Sequence, residues 1–113
     1  MIPEERQFLL TVMWLFMRHG QPVRARAICE ALVEEDPRDG VAAAALAELL
    51  LNDGDARGAL NVIHAANFPP NLAHAEAVLE TRALRLAGRR AEAESRWRRY
   101  IETRKGAERK WIA

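Results

Sequence analysis

The chain has 113 residues, half of them apolar, and 17 basic against 16 acidic side chains for a net charge of +1. That suits one domain with a continuous core, and β-branched residues are too few for a sheet while Ala, Leu, Glu and Arg favour helix. No apolar run reaches the ~18–20 residues of a membrane span, and the single cysteine, Cys29, excludes an internal disulfide.

Taken in chain order, Pro3 and Glu4-Glu5 open a first helix expected over Glu4–His19, with acids at the positive end of its dipole. Its stretch Phe8–Met17 is almost unbroken apolar, between Glu5 and Arg18. A signal peptide is not expected, because acids precede the run and no small-residue cleavage site follows it. The expected location is therefore the cytosol. Gly20-Gln21-Pro22 forms a turn, and Pro22 suits the start of a second helix over Val23–Glu35. Asp36-Pro37-Arg38-Asp39-Gly40 is a connector. A third helix over Val41–Asn52 is apolar all round, so it is expected to be packed on both sides. Asn52-Asp53-Gly54-Asp55 turns into a fourth helix over Ala56–Asn67, which Phe68-Pro69-Pro70-Asn71 breaks. A fifth helix over Leu72–Leu86 turns at Gly88 into a sixth over Arg90–Lys105, which Gly106 is expected to end. Residues 107–113 are left as a frayed tail or a short capping stretch around Trp111.

The turns recur with a period. Gly20, Gly54 and Gly88 stand 34 residues apart, and each is followed five residues later by an alanine: Ala25, Ala59 and Ala93. A bulky residue late in the first helix of each unit reads Phe16, Leu50, Leu84. Two packing positions in the second helix read Cys29, Ile63, Trp97 and Leu32, Ala66, Tyr100. The glycine ends one helix where the backbone must turn sharply. The alanine permits close approach of the next. A 34-residue period is that of the tetratricopeptide repeat (TPR), two antiparallel helices per unit. The expectation is an all-α domain over 1–113: three tandem TPR-like hairpins at about 6–39, 40–73 and 74–107, forming a short right-handed solenoid with a concave groove. The first unit ends in Asp36-Pro37, where a TPR proline closes the second helix. The usual tryptophan–leucine–glycine pattern of the first helix is missing, so the units are divergent.

In a TPR stack the first helix of each unit lines the inner surface, typically through positions 2, 5, 9 and 12. Here these are Gln7, Leu10, Trp14 and Met17; then Val41, Ala44, Glu48 and Leu51; then Ala75, Val78, Arg82 and Arg85. Such a groove is apolar at one end and basic at the other. It suits a partner segment that lays apolar side chains against Leu10, Trp14, Met17 and Leu51. Trp and Met are the anchor types expected at such a site. The first helix carries more apolar side chains than one neighbour can bury, and an apolar excess marks an interaction surface. Residues 1–56 hold 10 acids and 5 bases, a charge of −5, while residues 57–113 hold 6 acids and 12 bases, or +6. That asymmetry can steer an approaching partner.

No catalytic constellation is visible, so an enzyme is not expected, nor a cofactor. His19, His64 and His74 are scattered, and no Cys/His spacing suits a metal. Asn52-Asp53-Gly54-Asp55 lacks the twelve-residue calcium loop and its closing Glu. Cys29 reads as a core thiol. Single-stranded nucleic acid is an alternative ligand, given the arginines interleaved with Trp97, Tyr100 and Trp111. Against it, Glu92, Glu94, Glu102 and Glu108 are mixed in, and Trp97 and Tyr100 fall at packing positions. No nucleic-acid partner is expected.

The motifs Phe8-Leu9-Leu10, Trp14-Leu15, Gly20 and Arg24-Ala25, followed by Leu32 and Pro37, resemble the SctY (YscY) family of small type III secretion chaperones. The resemblance covers about residues 5–104, and Trp14-Leu15 after Phe8-Leu9-Leu10 is its distinctive part. It implies a bacterial cytoplasmic chaperone that stabilises a small secreted partner, SctX, and helps present it to the export gate protein, SctV. The needle-subunit co-chaperones and generic TPR adaptors are the alternatives. The larger translocator chaperones, which carry an extra N-terminal helix, are a further relative that the sequence is not expected to match. Glu80, Arg82 and Arg85 depart from the apolar groove the family implies, which bears on the partner. A homodimer in the partner's absence is also expected, through the first helix.

Overall fold

A computed structural model describes residues 1–112, with the side chain of Ile112 left aside. Ala113 lies outside the described residues. Six α-helices follow one another: α1 (Pro3–Arg18), α2 (Pro22–Glu35), α3 (Gly40–Asn52), α4 (Ala56–Ala65), α5 (Ala73–Leu86) and α6 (Arg90–Ile112), with one 3₁₀ turn at Pro70–Leu72. The pairs α1/α2, α3/α4 and α5/α6 are hairpins. They stack through α2 on α3 and α4 on α5, and α3 also lies directly against α5. The result is an all-helical hairpin solenoid with extents of 42 × 35 × 25 Å.

The period in the sequence becomes one turn built three times. Gly20, Gly54 and Gly88 have φ of 68°, 80° and 78°. At these values a side chain crowds the backbone, and glycine alone carries no penalty. The left-handed residue lets the chain reach back over the helix end. Gln21, Asp55 and Arg89 donate their N–H groups to the carbonyls of Phe16, Leu50 and Leu84, each at 2.8 Å. The glycine N–H groups bond Met17, Leu51 and Arg85 at 3.4, 3.0 and 3.0 Å. Both bonds of a Schellman helix end are thus present in every hairpin, satisfying carbonyls that the helix leaves open. Ala25, Ala59 and Ala93 are all 0% exposed. A methyl group is all that the contact between paired helices admits there.

The central helix behaves as its composition demands. Ala42, Ala43, Leu46, Ala47, Leu49, Leu50 and Leu51 of α3 are all buried. Leu46, Ala47, Leu49, Leu50 and Leu51 form a core with Met13, Cys29, Leu60, Ile63, Leu79 and Leu84. The starts of α3 and α4 carry side-chain acceptors: the Asp39 carboxylate accepts from the Ala42 N–H at 3.2 Å, and that of Asp55 from the Gly58 N–H at 2.8 Å.

Two helix boundaries differ from the expectation by more than a residue. α4 stops at Ala65 rather than Asn67, because the chain from Ala66 turns extended and pairs with the preceding connector. The Asn67 N–H donates to the Arg38 carbonyl at 3.0 Å. A Cβ on Gly40 would lie 2.5 Å from the Asn67 carbonyl oxygen and 2.9 Å from Phe68 Cα, so the two connectors touch at a site where only glycine fits. The second correction is Gly106, which does not end α6. Positive φ is confined to Gly20, Gly54 and Gly88 among the described residues. Ala107, Glu108, Arg109 and Lys110 are helix formers, Arg104 pairs with Glu108 at 3.5 Å one turn on, and the helix runs to Ile112. One glycine costs about 1 kcal/mol relative to alanine in a helix, too little to break a helix so continued. Residues 107–112 are neither frayed tail nor separate cap but the last turns of α6.

Candidate protein-binding groove

The residues expected to line the groove lie on α1, α3 and α5, and the apolar and uncharged ones fall into three groups. Trp14 and Val41 stand out into solvent, 51% and 40% exposed. Gln7 is exposed as well. Leu10, Met17 and Ala44 are half-buried, with one side against the core. Ala75 and Val78 are half-buried on α5. Leu51, by contrast, is 8% exposed and belongs to the core. On a helix packed on both sides it supports the groove from beneath and offers a ligand almost no surface.

The groove is not uniform along its length. α3 and α5 lie side by side, whereas α1 packs mainly on α2 and has no comparable contact with α3. The N-terminal end is therefore the more open. There the Arg18 guanidinium sits over the Trp14 ring at 4.8 Å, an exposed cation–π contact that favours this indole orientation by about 0.5–1 kcal/mol. α1 is tied to the start of α3 by a bidentate pair: Arg6 donates Nε to Asp39 Oδ2 at 2.7 Å and Nη2 to Oδ1 at 2.9 Å. Hydrogen bonding from Arg6, reinforced by backbone N–H groups at Ala42 and Val41, holds the Asp39 carboxyl below its usual range against the opposing effect of burial.

At the other end the expected basic character is halved. Arg82 Nη1 donates to Glu48 Oε2 at 2.6 Å, joining α5 to α3 across the groove floor. Two of the expected lining residues thus neutralise each other. Arg85 is exposed and has no ion pair among the described residues. Beside it Val78, Thr81, Arg82, Arg85 and Trp97 line a cavity of about 210 Å³. Thr81 is buried, and its hydroxyl has no hydrogen-bond partner.

Trp97 and Thr81 were not among the expected lining residues. Trp97 occupies the position filled by Cys29 and Ile63 in the earlier units, and its indole is much larger than either. It lines the same cavity as Arg82, and that size mismatch is the signal the sequence held. Its ring also meets His74 edge-on at 6.1 Å and Tyr100 at 5.5 Å, and His74 Nδ1 lies 3.2 Å from the Tyr100 hydroxyl. These aromatics fasten α6 to the start of α5.

Glu80 also proves to lie elsewhere than in the groove. Its carboxylate bonds Arg96 Nε of α6 and lies 2.8 Å from His64 Nε2 of α4. It bridges three helices on the far side, so its charge says nothing about the groove. A second cavity of about 240 Å³ there is lined by His64, Glu80, Arg89, Glu92, Arg96 and Arg99, most of them already paired. No cluster of three or more His, Cys, Asp or Glu side chains suited to a metal occurs among the described residues. Burial pushes the Cys29 thiol up to about 11, so it stays protonated. No helix among the described residues is long and apolar enough to cross a membrane.

The profile of the tetratricopeptide repeat family matches residues 16–69. That span begins at the end of α1 and takes in α2, α3 and α4. No curated protein and no solved structure matches the chain. The third hairpin lies outside the matched span, yet it repeats the glycine geometry, the 2.8 Å turn bond and the 0% exposed alanine of the other two. The match over residues 16–69 and the threefold recurrence together support a TPR-like helical repeat, a fold that points to protein–protein contacts.

Proposed function

We propose that this protein is a bacterial cytoplasmic type III secretion chaperone that holds a small secreted partner (SctX-like) in its groove and helps present it to the export gate (SctV-like). The observation that carries the reading is the unclosed apolar lining at the N-terminal end: Trp14 and Val41 remain 51% and 40% exposed on a face that folding had the apolar material to close. An exposed Trp beside an arginine brings together two of the residue types that dominate binding energy at interfaces. The similarity of Phe8-Leu9-Leu10, Trp14-Leu15 and Arg24-Ala25 to the SctY family supplies the identity of the partner. A helical segment of that partner lies with apolar side chains on Leu10, Trp14, Met17, Val41 and Ala44, above Leu51. Its far end meets Val78 and the Arg82–Glu48 pair, and an acidic group there meets Arg85. The role is a scaffold's, with no reaction and no cofactor.

Co-expression with the SctX-like protein from the same genome tests this. The two should co-purify, and Trp14→Ala should weaken the complex roughly 30-fold, the size of a strong interface residue, with unchanged far-UV circular dichroism. Binding of the partner unaffected by Trp14→Ala and Val41→Asp would remove the groove from the account. A complex with a needle subunit in place of the SctX-like protein would move the chain to the co-chaperone family. Failure with both leaves a TPR adaptor for other proteins.

A further inference from the structure

A second apolar surface lies on α1, about 100° around the helix from the groove residues. Phe8 is 67% exposed and Leu15 43% exposed, with exposed Thr11 between them. The repeat shows what this face is. One unit on, Phe8, Thr11 and Leu15 correspond to Ala42, Ala45 and Leu49; two units on, to Glu76, Leu79 and Ala83. All six of those counterparts are buried or half-buried, and α2 lies on α3 and α4 on α5. This is the surface through which each hairpin receives a helix of the preceding one. On α1 it is present, apolar and uncovered among the described residues.

The residues along that face settle which helix suits it. Glu4, Phe8, Thr11, Leu15 and Arg18 are spaced 4, 3, 4 and 3 apart, the spacing of a seam between two packed helices. All five are exposed. The order is acid, apolar, small polar, apolar, base, which is its own complement when reversed. Two copies of α1 laid antiparallel about Thr11 put Phe8 against Leu15 of the other copy and Glu4 against the other's Arg18, twice by symmetry. A parallel pair puts Glu4 on Glu4 and Arg18 on Arg18, which repel. The far end of the solenoid is no substitute, because α6 exposes Arg90, Glu94, Arg98 and Glu102 along one stripe and brings charge onto Phe8 and Leu15. Stacking Arg18 over Trp14 leaves its N–H edges free for a carboxylate.

We infer that the occupant of this face is a second copy of the chain, joined as a two-fold antiparallel α1–α1 pair distinct from the partner groove. One helix pair is a small interface, well under about 1,200 Å², so the dimer is weak and concentration-dependent, with a dissociation constant on the order of micromolar or above.

Sedimentation of the full chain over a series reaching the millimolar range tests it. Wild type should show a monomer–dimer equilibrium. Phe8→Asp should raise the dissociation constant by at least about tenfold with helicity unchanged, since Phe8 is mostly outside the fold already. Glu4→Arg and Arg18→Glu should each weaken the dimer, roughly threefold to tenfold, and the double reversal should restore it. Thr11→Cys should give a disulfide-linked dimer on mild oxidation, while the buried Cys29 of wild type should not. A chain that stays monomeric throughout, a dimer indifferent to Phe8→Asp, or a double reversal that fails to restore it overturns the inference. The first of these results leaves the face to a helix of another protein. The groove reading stands or falls separately, because its test reads partner binding.

Discussion

Asp39 does two jobs with one carboxylate. It caps α3 at the Ala42 N–H and it anchors α1 through Arg6. Its side chain is 8% exposed, so water screens the pair poorly. The carboxyl is held below its usual value chiefly by Arg6. For a depressed carboxylate the sign is fixed: the stabilisation is complete above the unfolded value near ~3.9 and is lost as pH falls through the lower folded value. Asp39→Asn keeps a capping oxygen but loses the charge. It should therefore cost about 1–2 kcal/mol in urea unfolding at pH 7, with the gap to wild type closing below about pH 4. A gap that is constant across that window would mean that the ion pair contributes nothing. Two glycines make a paired contrast at the same scale. Gly54→Ala forces a methyl group into φ of 80° although nothing lies within 4 Å, and should destabilise by about 1 kcal/mol through backbone strain alone. Gly106→Ala sits in helical backbone with open space and should raise the helicity of the last turns of α6. Both were glycines near an expected helix end in the sequence. What separates them is the residue that follows: Gln21, Asp55 and Arg89 each begin a new helix turn, whereas after Gly106 nothing redirects the chain.

At the scale of elements, the sequence revealed the hairpins more fully than the faces. Gly20, Gly54 and Gly88 with Ala25, Ala59 and Ala93 are local signals, since a turn and a close approach each need a particular residue at one place. Facing is a non-local matter. Glu80 and Arg82 are two residues apart and look alike as charges, yet Glu80 turns to His64 and Arg96 while Arg82 crosses the groove floor to Glu48. Only the partners, 16 and 34 residues away, decide this. The Glu80–Arg96 pair also explains how a charged residue occupies a position that reads Val12 and Leu46 in the other units. Both side chains are 13% exposed, so removing one partner strands the other in a poorly solvated site. Arg96→Leu should cost about 2–3 kcal/mol, while Glu80→Leu combined with Arg96→Leu should recover much of that loss. Thermal unfolding of the two single variants and the double one gives the coupling directly, and additive losses would show that the pair is no more than surface decoration.

For the whole molecule, stability is a chain of neighbour contacts, and the ends have fewer neighbours than the middle. α3 buries most of its length between α2, α4 and α5. α1 has one fully buried residue, Met13, packs mainly on α2, and is otherwise held by Arg6 to Asp39 and by the N-terminal ammonium to Glu35 at 3.0 Å. The helix with the most exposed apolar surface is thus also among the least anchored. Local opening should follow the same order. In native-state hydrogen exchange, amides of α3 should open only with global unfolding, whereas those of α1 should open at a free energy lower by about 2 kcal/mol or more, since they lose only the first hairpin's contacts. A ligand seated on Leu10, Trp14 and Val41 adds to α1 the neighbour it lacks on the groove side. Saturating partner should then raise protection in α1 far more than in α5 or α6, because binding energy appears first where opening was cheapest. Equal protection of α1 and α3 in the free protein would mean that the first helix is already fully locked. In that case the open N-terminal end of the groove would be a fixed cleft, and binding would raise protection evenly along the stack.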